Sequence, residues 1–225
     1  MGQKISPLAL RLGINQNWQS RWVAKKSDIA IWIKEDAVIR QTIKKKLPNS
    51  FISKIEIERQ NNKFHIFIST SRLGLILGQK SQNIKRIILI LKKALKARNY
   101  SIKIDVIEVK IPGLNAQLVA NDLAYGIANR ESYRKLQRQG VKSAMRLGAK
   151  GIKITVSGRL NGANISRKEH ISEGKIPLST LRADIDYGFA ESLTNYGQIG
   201  IKVWIYQGNI FKKKEENINL ENSEK

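Results

Sequence analysis

Residues 77–84, LGQKSQNI, run straight into an apolar, lysine-studded segment at 84–98. The stretch reads as a short loop, opened by Gly78, that starts a helix. Glycine carries no side chain, so a nucleic-acid backbone can approach such a loop closely. The first turn of the helix behind it presents unpaired N–H groups to phosphate. The chain carries 41 Lys and Arg against 18 Asp and Glu, a formal net charge of +23. An imbalance of that size speaks about partners, and nucleic acid is the leading one. The loop and the charge together point to single-stranded RNA binding, not to catalysis.

The flanking residues extend the pattern. Val38, Ile39, Ile43 and Leu47 recur at helical spacing over 35–47, with Lys44, Lys45 and Lys46 at the end where cations complement the helix dipole. Pro48 stops that helix. Ile52, Ile55 and Ile57 form one strand, and Phe64, Ile66 and Ile68 a second, with Asn61-Asn62 as the turn between them. After the glycine loop and its helix, Ile102, Ile104 and Val106 alternate as a third strand. This helix–strand–strand–helix–strand order fits the type II KH domain (α-β-β-α-α-β), whose Gly-x-x-Gly loop clamps nucleotides by their backbone. The candidate loop residues are Gly78, Gln79, Lys80 and Ser81. Ser81 stands where the second glycine is usual; a plain turn with a serine helix cap is the alternative reading of the same residues. Residues 74–81, GLILGQKS, also come close to a nucleotide-hydrolase phosphate loop, but Gln79 takes the place of its second glycine and the preceding strands form a hairpin.

Pro112-Gly113 marks a boundary. Beyond it the spacing predicts helices over 115–129 and 132–148, then strands at 152–157, 181–187 and 199–206. Two helices on a small antiparallel sheet would bury these stripes, so the whole chain is α+β. The expected domains are an extended basic arm at 1–20, the KH domain at 21–111, a C-terminal α+β lobe at 112–211 and a disordered, charged tail at 212–225. No apolar run reaches the roughly 20 residues of a membrane span. Cysteine is absent and only His65 and His170 are present, so neither disulfides nor a thiolate or His-rich metal site is expected; catalytic residues and cofactors are expected to be none.

The second helix beyond the boundary carries the densest charge. Arg130, Arg134, Lys135, Arg138, Lys142, Arg146, Lys150 and Lys153 stand against Glu131 alone. Positions 134, 138 and 142 are four apart and share a helix face. A solvated face normally mixes signs; this one is almost purely cationic, which suits a phosphate backbone read without sequence. Arg59, Arg72, Lys85 and Arg86 extend the basic path around the glycine loop, and Lys4, Arg11 and Arg159 complete the candidate RNA contacts. Asp184 and Asp186 are two apart, and an ion pair with Arg182 or Arg159 is their expected role. Trp204 and Tyr206 are open to base stacking or to a core or subunit contact.

Several blocks resemble the bacterial-type small-subunit ribosomal protein number three: MGQK at 1–4, RLGI at 11–14, Trp22, AMRLGAKG at 144–151, VSGRLNGA at 156–163, GKIPLSTLRADIDY at 174–187, Tyr196-Gly197 and GIKVWI at 200–205. The resemblance covers roughly residues 1–210. It implies a structural constituent of the small-subunit head that binds small-subunit rRNA and lines the channel by which mRNA enters, where Arg134, Lys135 and Arg138 match the positions that contact and help unwind the message. It further implies neighbouring small-subunit proteins four, five, ten and fourteen, no homo-oligomer, and a place on the ribosome of a bacterial cytoplasm or an organelle. A free KH-type RNA chaperone is the alternative.

Overall fold

The computed structural model describes residues 5–47, 51–60, 63–78, 82–95 and 100–211. Helix α1 (Pro7–Arg11) and the two-residue strand β1 (Ser20–Arg21) precede α2 (Ile29–Lys46), β2 (Ile52–Gln60), β3 (Lys63–Thr70), α3 (Leu73–Leu77), α4 (Gln82–Ala94) and β4 (Ser101–Glu108). From α2 onward this is the α-β-β-α-α-β order. Strands β2 and β3 pair antiparallel with Gln60 opposite Lys63, and β4 joins β3 parallel. A parallel neighbour needs a long crossover, and α3 and α4 supply it. The alternating isoleucines put Ile55, Ile57, Ile66, Ile68 and Ile104 on one face, where Ile39 and Ile43 of α2 and Ile87 and Leu91 of α4 cover them. The Asn61-Asn62 turn lies outside the described residues.

The second half is α5 (Ala116–Ala128), α6 (Tyr133–Arg146), β5 (Gly151–Gly158), β6 (Arg167–Gly174), β7 (Ala183–Thr194) and β8 (Gly197–Asn209). The sheet order is β6-β5-β8-β7, antiparallel throughout. Ile152, Ile154 and Val156 of β5 and Ile199, Ile201, Val203 and Ile205 of β8 meet the inner faces of α5 and α6 in one core. Strand β6 was not expected; His170 lies on it, paired with Thr155, not in a loop. Its sequence, RKEHISEG, has Ile171 as its one aliphatic residue, so an edge strand of this kind carries no alternation to read. Strands β7 and β8 are also longer than their apolar cores suggest.

The arm is not wholly extended. Residues Pro7–Arg11 are helical, and Arg11 is 0% exposed. Its Nε donates to the Ala183 carbonyl at 2.7 Å, its Nη1 to Pro7 at 3.0 Å, and its Nη2 to the carbonyls of Leu178 and Thr180, both at 2.9 Å. The guanidinium therefore pins the arm to the segment before β7. Farther along, Arg40 of α2 holds the arm by donating to the Gln19 carbonyl and to Ser20 Oγ.

Candidate nucleic-acid interface

Gly78 closes α3 with φ +63° and donates its N–H to the Gly74 carbonyl at 2.9 Å. The Asn83 side chain, one residue into α4, reaches back to donate to the Leu75 carbonyl at 3.0 Å. That clasp holds the two ends of the loop together. The backbone angle favours glycine here, and a Cβ on Gly78 would lie 2.7 Å from Asn83 Nδ2 and push that side chain off its clasp. Gln79, Lys80 and Ser81 lie outside the described residues. Because residues 73–77 are helical, the stretch from Gly74 cannot wrap a nucleotide as a phosphate loop does. Helix α4 follows with no acid in its first turn, which leaves the positive end of its dipole uncompensated, and it exposes Lys85 and Arg86.

Helix α6 is divided cleanly. Tyr133, Gln137, Val141 and Ala144 are buried, while Arg134, Lys135, Arg138, Lys142 and Arg146 are all exposed on the opposite side. The five cations line an open groove of about 720 Å³ together with Gln139 and Ser143. Strand β6 packs beside the start of α6. Arg134 Nη2 and Arg167 Nε approach Glu169 Oε1 at 3.3 and 3.1 Å, and Tyr133 donates its hydroxyl to Glu169 Oε2 at 2.9 Å. The hydrogen bond from Arg134 holds the Glu169 carboxyl below the ordinary carboxylate range, and Glu169 in turn raises the guanidinium of Arg134. Arg134 is thus oriented by a carboxylate, whereas Arg130 projects from the α5–α6 turn at φ +64° and is exposed.

Not every candidate cation reaches solvent. Arg11 is occupied by carbonyl oxygens and is a structural tie, unavailable to phosphate; burial lowers its pKa, and Asp184 partly offsets this. Arg59 is buried as well. Its guanidinium pairs with Glu35 at 2.5 Å and stacks 3.8 Å from the Trp32 ring, so it belongs to the core rather than to the basic path. Arg159 is half-buried, donating Nε to the Ala163 carbonyl at 2.8 Å and Nη1 to the Tyr196 carbonyl at 3.1 Å. Arg72 is exposed and packs 4.2 Å over Phe51. Lys4 lies outside the described residues.

The remaining expectations resolve in the same way. Asp186 makes no ion pair among the described residues; its carboxylate accepts the Ala116 N–H at 2.7 Å and the Tyr187 N–H at 2.9 Å, anchoring the start of α5. Burial pushes its carboxyl up. Asp184 has Arg11, not Arg182 or Arg159, as its charged neighbour. Tyr206 is buried with Ala183 and Ile185, Trp204 packs partly against them, and its ring lies 5.4 Å from that of Tyr187; neither is laid open for stacking. Among the described residues no helix is long and apolar enough to cross a membrane.

Comparison with known proteins completes the picture. Residues 38–114 match the family model for the KH domain, and residues 123–205 match the model described as ribosomal protein S3, C-terminal domain. The small ribosomal subunit protein uS3 of Spiroplasma citri is 47% identical over 214 residues, covering 95% of this chain and 85% of the relative. That of Pelagibacter ubique is 48% identical over 215 residues, covering 95% and 93%. That of Carboxydothermus hydrogenoformans is 46% identical over 226 residues and covers both chains completely. With a KH fold, a matched C-terminal lobe and identity near one half along nearly its whole length, the chain belongs to the small ribosomal subunit protein uS3 family.

Proposed function

We propose that the chain is a structural constituent of the small ribosomal subunit that binds small-subunit rRNA, and that its α6 face contacts mRNA where the message enters and helps to unwind it. The observation that carries the mRNA part is the one-sided helix. Five exposed cations stand on one face, while the opposite face is buried in the core. Such a rigid cationic ridge neutralises successive phosphates and reads no sequence. The Gly78 loop and the start of α4, with Lys85 and Arg86 beside them, form a second backbone contact suited to rRNA. On this reading the other small-subunit partners are proteins four, five, ten and fourteen. The role is non-enzymatic, and the three relatives above are named as ribosomal proteins, not by any activity.

Two measurements test this. A tagged copy should comigrate with small subunits and polysomes through a sucrose gradient and survive a salt wash; signal confined to the top fractions would favour a free RNA-binding factor. In small subunits carrying Arg134→Ala, Lys135→Ala and Arg138→Ala together, assembly should be nearly intact while translation of structured messages falls. Equal losses on structured and unstructured messages would sink the mRNA role.

A further inference from the structure

The groove along α6 has a neighbour. Gln139 and Ser143, which line it, also line a second cavity of about 670 Å³ between the two halves of the molecule. The two spaces therefore adjoin. The second cavity has a different chemistry. Phe51 and Tyr125 stand in its wall with ring centroids 6.3 Å apart and planes at 69°. Tyr125 is 54% exposed, so one side of its ring is open to solvent. Asp122, one turn before it on α5, and Glu131 in the α5–α6 turn add two carboxylates, and Arg72 lines the same cavity over the Phe51 ring.

We propose that this cavity takes one unstacked, amino-bearing base of a single-stranded RNA whose backbone lies on α6. The inference rests on the proposed RNA contact of α6 and adds a base-reading site beside it. Charge separates the two places. Phosphate is attracted to the ridge of Lys135, Arg138, Lys142 and Arg146, whereas in the cavity the two carboxylates of Asp122 and Glu131 outnumber the one guanidinium of Arg72, so the nucleotide enters base first. The aromatic pair is set edge to face, which leaves no slot between the rings; the base stacks on the open side of Tyr125. Aromatic stacking accepts any base, but a carboxylate accepts a hydrogen bond from the amino group of cytosine and meets only the O4 acceptor of uracil at the same position. The volume lies within the range of small-ligand sites and leaves room for a base with its ribose.

The purified full chain should be titrated with short oligocytidylate and oligouridylate at fixed salt. The unaltered chain should prefer oligocytidylate by about fivefold or more, from one carboxylate–amino bond. Tyr125→Ala should weaken oligocytidylate binding by roughly 5- to 150-fold without changing the salt slope, and Tyr125→Phe should restore it. Asp122→Asn with Glu131→Gln should erase the preference for cytosine. If Tyr125→Ala binds within about twofold of the unaltered chain, or if the two oligomers bind alike, the proposal is overturned. Arg134→Ala, Lys135→Ala and Arg138→Ala together separate the two ideas: a lower salt slope in that variant, beside an inert Tyr125→Ala, would leave the α6 contact standing and remove the base site alone. In assembled subunits, crosslinking of thionucleotide-labelled message to Tyr125 would identify the base as one from mRNA, and crosslinking to rRNA would identify it as ribosomal.

Discussion

Replacing Arg11 with alanine should detach the N-terminal arm. The side chain is 0% exposed and donates across 172 residues of sequence to Ala183, across 169 to Thr180 and across 167 to Leu178. Hydrogen bonds to a charged group contribute about 1.5–3 kcal/mol each. Three such bonds are not additive, because they share one guanidinium and alanine would let the arm lift and water reach the abandoned carbonyls. Removing the guanidinium strands no charge and leaves neutral carbonyls open to water, so the loss expected is near the worth of one such bond, about 1.5–3 kcal/mol. For a chain of this size it corresponds to a melting midpoint lower by roughly 3–12 °C, at about 2–4 °C per kcal/mol. Thermal unfolding of the full chain reads the loss, and limited proteolysis reads where it falls: cleavage near residues 12–18 should precede cleavage within either sheet. Arg11→Lys should recover only part of the stability, since an ammonium cannot reproduce the planar fork. A melting midpoint within about 1 °C of the unaltered chain, with the arm still protected, would refute the view that this arginine is a structural tie.

Gly78→Ala should cost about 1–3 kcal/mol, because φ +63° with ψ −174° is a backbone region essentially reserved for glycine, and should also displace Asn83, whose amide would lie 2.7 Å from the new Cβ; an unchanged unfolding midpoint would mean that the loop clasp is not as described. Asp105 is held below the usual carboxylate range by the hydrogen bond from His65, and then by Lys103. Its stabilising contribution is present above the unfolded value of about 3.9 and is lost as pH falls through the depressed folded value. His65→Ala should therefore raise the Asp105 pKa, read from its carboxyl-carbon NMR titration, and no rise would assign the effect to Lys103 alone. Asp186 runs the other way. Burial raises its folded pKa, so the folded state binds the proton more tightly, and acidification through that value adds stability at this site. Asp186→Asn should remove that part of the pH dependence above about pH 4, and an unaltered dependence of unfolding on pH would refute the assignment.

The regular elements were legible because their signals are local. Ile152, Ile154 and Val156 alternate on β5, Ile199 to Ile205 alternate on β8, and the buried positions of α6 recur at helical spacing; each pattern places a stripe on one face whatever lies opposite. The exposed α6 cations were readable for the same reason, being the complement of that stripe. Strand β6 was not, since an edge strand with one aliphatic residue has no alternation. Nor were the roles of Arg11, Arg59 and Arg159, because in a chain this basic a cation that will be buried looks like one that will face solvent.

The sequence by itself determined the main helices and strands of the two hydrophobic cores, the glycine that the loop requires and the excess of positive charge. Only the tertiary structure decided which of those charges remain for RNA. Periodicity is written in residues two to four apart, whereas the desolvation of a guanidinium depends on carbonyls and rings brought to it from far along the chain: Ala183 for Arg11, Trp32 and Glu35 for Arg59, Tyr196 for Arg159. The same long-range packing brings Phe51 beside Tyr125 and sets that cavity next to the groove on α6.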